Sequence, residues 1–166
     1  MRKKKFDGSI SEIMVAYQPN QELDFGPVRK MVEFQIKNGI DGLFMGGLST
    51  QTYLLTMEEK RRVGEELCNA AAGRGPVMMN VMEDSIKNAK QLVQDYMDIG
   101  VDAVCISQPS VFPYPEQALV EFFDEVIPED YPTYIYNVPQ TGNTMSPRTV
   151  ARIANAHPNV LGYKDS

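Results

Sequence analysis

The chain has 166 residues, 43% hydrophobic and 23% charged, the composition of an ordinary soluble protein, and one domain of this size buries roughly 70% of its unfolded surface. A formal net charge of -6 argues against nucleic-acid binding, which needs a basic face, but leaves room for a small anion in a locally positive site. No stretch approaches the ~18 apolar residues of a membrane span, so no membrane partner is expected. Met1-Arg2-Lys3-Lys4-Lys5 resembles the basic start of a signal peptide, but Asp7, Ser9, Ser11 and Glu12 interrupt the apolar core that should follow. Cys68 and Cys105 are isolated and lack CxxC spacing, which fits reduced thiols in a cytoplasmic protein better than a disulfide or a metal site. The single His157 rules out a multi-histidine zinc site and reads as helix-end chemistry ahead of Pro158.

In chain order, residues 9–17 read as a first strand, closed by the turn cluster Gln18-Pro19-Asn20. Residues 25–38 carry Val28, Met31, Val32, Phe34 and Ile36 at helical spacing, and Asn38-Gly39 stops them. Residues 41–45 form a short second strand that runs into Gly46-Gly47-Leu48-Ser49-Thr50-Gln51-Thr52. A helix starts near Thr56, with Glu59 as its capping-box partner, and continues to about residue 72. Residues 77–81 are the third strand, 85–99 a helix and 102–107 the fourth strand. A proline-rich loop over 109–115 leads into a helix over 116–126, and residues 133–137 are the fifth strand. Ser146-Pro147 opens a helix to about residue 156, and the last strand covers 160–164.

Strands thus recur about every thirty residues, each followed by an amphipathic helix, which implies a parallel sheet with right-handed crossovers. An open doubly wound sheet and a (β/α)8 TIM barrel compete. Small or polar side chains gather at the C-terminal strand ends: Tyr17, Ser49 and Thr50, Asn80, Ser107, Tyr136 and Asn137, and Lys164. Barrel enzymes build their sites there, and the GxGxxG or GxxxxGKS/T loop of an open nucleotide-binding sheet is absent. A complete barrel needs ~250 residues. Residues 1–166 are therefore expected to be a single, partial barrel domain, truncated at the C-terminus, with five β/α units and the strand of a sixth.

Alternation along 160–164 places Gly162 and Lys164 on one face of the last strand, with Leu161 and Tyr163 on the other. An amine at the end of a buried strand is poorly solvated and becomes a Schiff-base nucleophile; the plain alternative is a solvated lysine near a chain end. Tyr136 closes the neighbouring strand, where a tyrosine also serves as core.

Tyr134-Ile135-Tyr136-Asn137-Val138-Pro139, then Thr141-Gly142, then Gly162-Tyr163-Lys164-Asp165, follow the order and spacing of the YNxP…TG and G-x-K elements of a known family. Val32-Glu33-Phe34, Asn38-Gly39-Ile40-Asp41-Gly42-Leu43, Leu55-Thr56-Met57-Glu58-Glu59 and Gly100-Val101-Asp102-Ala103 add to the match. On these residues the chain resembles the dihydrodipicolinate synthase / N-acetylneuraminate lyase family of class I Schiff-base aldolases. The resemblance implies that Lys164 attacks the ketone of pyruvate or a related 2-keto acid to form an imine. It implies that Tyr136 shuttles protons and that no cofactor or metal is needed. It further implies homo-oligomers built from dimers. The substrate carboxylate is assigned to the second-strand loop, here Gly47, Ser49 and Thr50, although hydroxyls in such a loop also cap its own backbone.

Three departures bear on the substrate. The family's Gly-Ser/Thr-Thr-Gly-Glu motif reads Gly47-Leu48-Ser49-Thr50-Gln51, which puts Leu48 on one hydroxyl position. Gln140-Thr141-Gly142 lacks the arginine that the synthase branch uses for a second carboxylate. Ser110-Val111-Phe112 lacks the relay tyrosine of the fourth-strand loop, and Tyr114 is out of register. A lyase or aldolase for another 2-keto acid is expected over the synthase. A non-catalytic, keto-acid-binding relative is the alternative.

Overall fold

The computed structural model describes residues 6–166; the basic run at residues 1–5 lies outside them. The described residues form two compact units, 6–80 with 95–102, and 81–94 with 103–166.

The first unit contains β1 (Ile10–Glu12), α1 (Phe25–Lys37), β2 (Gly42–Met45), α2 (Met57–Ala71) and β3 (Val77–Val81), the last residue of β3 falling in the second unit. β1 pairs with β2 and β2 with β3, both parallel, with Ile10 opposite Gly42 and Leu43 opposite Val77. β2 and β3 are buried at every residue, as expected of parallel strands covered on both faces. The helices are set by their caps. Asp24 accepts from the Gly26 N–H at the start of α1. Thr56 and Glu59 form the expected capping box on α2, the Thr56 hydroxyl accepting from Glu59 N while Glu59 accepts from Thr56 N at 2.8 Å. Val63, Leu67 and Ala71 recur on the buried face of α2.

β1 is shorter than the sequence suggests. Pairing stops at Glu12, although Ile13 N still donates to Phe44 O, and Tyr17 instead bridges antiparallel to Leu23 across a tight turn. Gln21 sits there with φ +68, and Gln18 N and Glu22 O close the loop at 2.8 Å. The turn chemistry of residues 18–21 bends the chain off the sheet before Tyr17 can extend the strand.

The second unit contains most of α3 (Ile86–Ile99), then β4 (Ala103–Ser107), α4 (Glu116–Val126), β5 (Thr133–Asn137), α5 (Pro147–Ala156) and β6 (Val160–Asp165). β4, β5 and β6 are parallel and hydrogen-bonded in that order. β4 is buried throughout, whereas β6 is half-exposed. Ser146 caps α5 by accepting from Thr149 N, with Pro147 as its first residue. His157 closes the other end as the expected C-cap, its ring Nε2 2.8 Å from Asp124. Among the described residues no helix is long and apolar enough to cross a membrane, and both cysteines are free. Burial pushes the Cys68 thiol up to about 11, with Asp102 adding to the rise.

The α2 capping box yields a prediction. Thr56→Ala removes two donor–acceptor contacts at the helix start and is expected to cost about 1 kcal/mol of stability in chemical denaturation. The Thr56 backbone and hydroxyl contacts hold the Glu59 carboxyl below its ordinary range. Its stabilising contribution is therefore full above that range and is lost as pH falls through the lowered value. Glu59→Gln should flatten the acid limb of the stability–pH curve, and an unchanged limb would contradict the assignment.

Candidate functional site

β5 and β6 build the first cluster. Tyr136 pairs with Lys164 and Asn137 with Asp165, so the residues 28 positions apart in sequence are direct neighbours across the ladder. Thr133 pairs with Val160 but Tyr134 pairs with Gly162, so β6 carries one extra residue, Leu161, at that point. The expected alternation holds beyond it. Gly162 lies under the Tyr134 ring and Lys164 under the Tyr136 ring, on one face.

Lys164 Nζ stands 3.5 Å from the centroid of the Tyr136 ring, a cation–π distance. Nζ also donates to Ser166 Oγ at 2.7 Å, and Ser166 Oγ donates to Tyr136 Oη at 3.1 Å. Amine, hydroxyl and phenol form one short chain of polar atoms. Tyr136 is buried and Lys164 is half-buried, so the amine sits at the solvent boundary with its stem along the strand. Burial pushes the Cys105 thiol on β4 well above its ordinary value, the Lys164 charge opposing the rise, and makes this cysteine inert. Ser166 escaped the sequence reading, because nothing at a strand end signals which hydroxyl will fall between two side chains.

The loops after β4 and β5 are tied to one another. Asn143 Nδ2 donates to Pro109 O at 2.8 Å and to Phe112 O at 2.6 Å, and its Oδ1 accepts from Tyr114 N. Gln108 bridges Asn143 O and Val138 N. Ser110 donates from N and Oγ to Asp84. Val111 and Phe112, in place of a relay tyrosine, are exposed. Asn137 Nδ2 donates to Asp165 at 2.8 Å and its Oδ1 accepts from Met145 N, which anchors the β5 exit.

The β2 loop is the second cluster, in the first unit. Gly46 turns it with φ +96, and a Cβ there would stand 2.9 Å from Asn80 O, so only glycine fits. Thr50 is fully buried; its Oγ1 accepts from Gly46 N at 2.9 Å and donates to Ile13 O at 3.2 Å. Its proton is directed at the backbone, and Thr50 braces the loop. Asn80 Nδ2 donates to Gly46 O at 3.0 Å from β3. Ser49 is exposed and donates to Glu12 Oε2 at 3.3 Å, and Gly47 is buried with Glu12 Oε1 against its α-carbon. Sequence reasoning did not place Glu12 against this loop; a carboxylate set between Ile10 and Ile13 was the available signal. Among the described residues no group of histidine, cysteine and acidic side chains is placed to hold a metal ion.

The dihydrodipicolinate synthetase family model matches residues 5–166. The chain belongs to that family. It is 32% identical over 161 residues to a 4-hydroxy-tetrahydrodipicolinate synthase of Hydrogenobaculum sp. (strain Y04AAS1), covering 96% of this chain and 55% of the relative. It is 28% identical to a probable 2-dehydro-3-deoxy-D-pentonate aldolase, YjhH, of Escherichia coli K12, over 98% of this chain and 55% of the relative. Among solved structures, YagE of E. coli K12 in complex with pyruvate superposes with a TM-score of 0.92 at 25% identity, over 96% of this chain and 54% of that one. The dihydrodipicolinate synthase of Aquifex aeolicus gives 0.89 at 28% identity, over 97% and 55%. The chain spans about half the length of the family members it matches. The fold is that of the family's TIM barrel, of which these residues supply five β/α units and the sixth strand.

A Cβ on Gly162 would stand 2.5 Å from Tyr134 Cε1, closer than side chains approach. Gly162→Ala is therefore expected to cost roughly 1–3 kcal/mol through overpacking. In a double-mutant cycle with Tyr134→Ala the two losses should be strongly non-additive, and additive losses would show that the ring is not what Gly162 accommodates.

Proposed function

We propose that this chain carries the imine-forming centre of a carbon–carbon lyase or aldolase acting on pyruvate or a related 2-keto acid. The observation that carries the reading is the Lys164–Ser166–Tyr136 chain, in which the amine lies on the face of a buried phenol and both share one hydroxyl. Family membership, relatives named as synthases and aldolases, and the pyruvate complex of YagE support it.

The neutral Lys164 amine attacks the carbonyl carbon, and the carbonyl π pair moves to oxygen. Two proton transfers to that oxygen release water and leave the protonated imine. Its C=N⁺ withdraws electrons from the adjacent carbon, so the bond from that carbon to the rest of the substrate breaks heterolytically, its pair passing into the enamine. Tyr136, with Ser166 at hydrogen-bond distance, takes the proton from the hydroxyl on the departing carbon, which leaves as a carbonyl compound, and returns it to the enamine carbon. Addition runs the same steps in reverse. This chemistry draws on no metal or organic cofactor. Following the resemblance, Gly47, Ser49 and Thr50 are assigned to the carboxylate end, Ser49 as donor and Thr50 as the brace that shapes the loop. The protein is read as a cytoplasmic homo-oligomer.

A second reading, keto-acid binding without turnover, is favoured by one feature: exposed Val111 and Phe112 stand where the family's relay tyrosine belongs. Dihydrodipicolinate synthesis is disfavoured because Gln140-Thr141-Gly142 holds no arginine for a second carboxylate.

Incubation with pyruvate and borohydride should add the reduced adduct to Lys164, seen by peptide mass, and Lys164→Ala should abolish it. Tyr136→Phe should still be trapped while aldol cleavage falls roughly 10²-fold or more. An unmodified Lys164 in folded protein would refute the proposal; adduct without measurable cleavage of any 2-keto acid would select the binding reading.

A further inference from the structure

Lys164 lies between two residues whose side chains stand on the other face of β6, Tyr163 and Asp165. Asp165 is the register partner of Asn137. Its Oδ1 accepts from Asn137 Nδ2 at 2.8 Å, and the Tyr163 hydroxyl bonds to Asp165 on the same face. Partial burial raises the Tyr163 phenol above its ordinary value, the bond to Asp165 adds to the rise, and Asn137 opposes it. Asn137 is itself buried, and its Oδ1 accepts from Met145 N at 3.0 Å. Asp165 thus ties the end of β6 to an amide that the rest of the unit already holds.

The tie matters because of where it falls. Among the described residues β6 is laddered only to β5, and Lys164 is its penultimate residue. A strand end held by one neighbour is the first part of a sheet to open. With the Asn137–Asp165 rung open, the backbone at Lys164 is released, and its flexible stem can leave the Tyr136 ring. With the rung closed, the direction of the lysine stem is set from below by the Gly162–Tyr134 pair and from above by Asp165. Nζ then stays 3.5 Å from the ring centroid. The same rung places the next residue, Ser166, whose Oγ stands between Nζ and Tyr136 Oη.

We propose that Asp165 is a positioning residue: its bond to Asn137 closes the last rung of β6 and so holds Lys164 on the Tyr136 ring, with Ser166 between amine and phenol. Asp165 acts through the backbone, from the face opposite Lys164, and takes no part in bond making. The kinetic consequence, faster imine formation, rests on the Schiff-base reading of Lys164; the placement of the amine is a property of the strand pair itself.

The test compares the wild-type chain with Asp165→Ala and with Asp165→Asn, which keeps a carbonyl oxygen to accept from Asn137. Protons over an aromatic face resonate upfield, so the Lys164 ε-methylene signal in NMR of the folded chain reports the place of the amine. Asp165→Ala should lose most of that upfield shift, and Asp165→Asn should keep it. At saturating pyruvate, samples quenched with borohydride at successive times give the rate constant of Lys164 adduct formation. It should fall about fivefold or more in Asp165→Ala, the loss expected when one hydrogen bond no longer holds the reactive conformer, and recover in Asp165→Asn. Partial unfolding lowers the amount of adduct and leaves that rate constant, so destabilisation alone does not mimic the effect. An unchanged shift or rate constant in Asp165→Ala, or a loss as deep in Asp165→Asn, overturns the inference and leaves the Schiff-base reading standing. Absence of adduct in all three proteins refutes that reading, and the ring shift alone then decides whether Asp165 places the amine.

Discussion

The register of one parallel strand pair decides where the amine goes. Beyond Leu161 the side chains of β6 alternate, so a one-residue slip against β5 would carry Lys164 to the opposite face and away from Tyr136. Leu161, the extra residue of β6, fixes the pairing that follows it: Gly162 with Tyr134, then Lys164 with Tyr136. Gly162 is part of the same device, because the Tyr134 ring fills the space a side chain would need. Tyr136 is buried at the other partner position, so the aromatic surface is fixed and the flexible lysine lies along it.

The loops above the strands are stiffened by amide side chains rather than by length or proline alone. Asn143 alone satisfies two carbonyls and one N–H of residues 109–114, and Gln108 joins the β4 exit to Val138 and Asn143. In the first unit Thr50 and Asn80 do the same for Gly46, from within the loop and from β3. Such contacts satisfy backbone groups that a buried loop would otherwise leave unpaired. They also use up donors. Thr50 is the clear instance, a buried loop hydroxyl whose proton belongs to Ile13 O.

Most of the element pattern was legible because parallel strands covered on both faces leave continuous apolar runs between Gly, Pro and Asn breaks. β3, α4 and β5 fall on the residues that this pattern marks, and the Thr56–Glu59 and Ser146–Pro147 signatures locate two helix starts. β1 is the exception. Its strand is three residues long and half-exposed, so periodicity over 9–17 had little burial behind it, and the Gln18–Glu22 turn took over. The juxtaposition of Lys164 and Tyr136 was readable from spacing joined to family resemblance. Ser166, Glu12 and the bonding of Thr50 were not, since each depends on contacts between residues about 30 apart in sequence that no local pattern encodes.

The two clusters rest on different constraints. An imine is an electron sink by virtue of its own C=N⁺, so the proposed function asks of the β5–β6 pair only an accessible amine and a nearby proton carrier. The β2 loop is built on other constraints, and its sequence differs from the family motif at Leu48 and Gln51. A substitution in that loop leaves the β5–β6 ladder intact, whereas a slipped β6 would carry Lys164 away from Tyr136. The strand register therefore fixes where Lys164 stands, whereas the β2 loop is free to change its side chains without moving it.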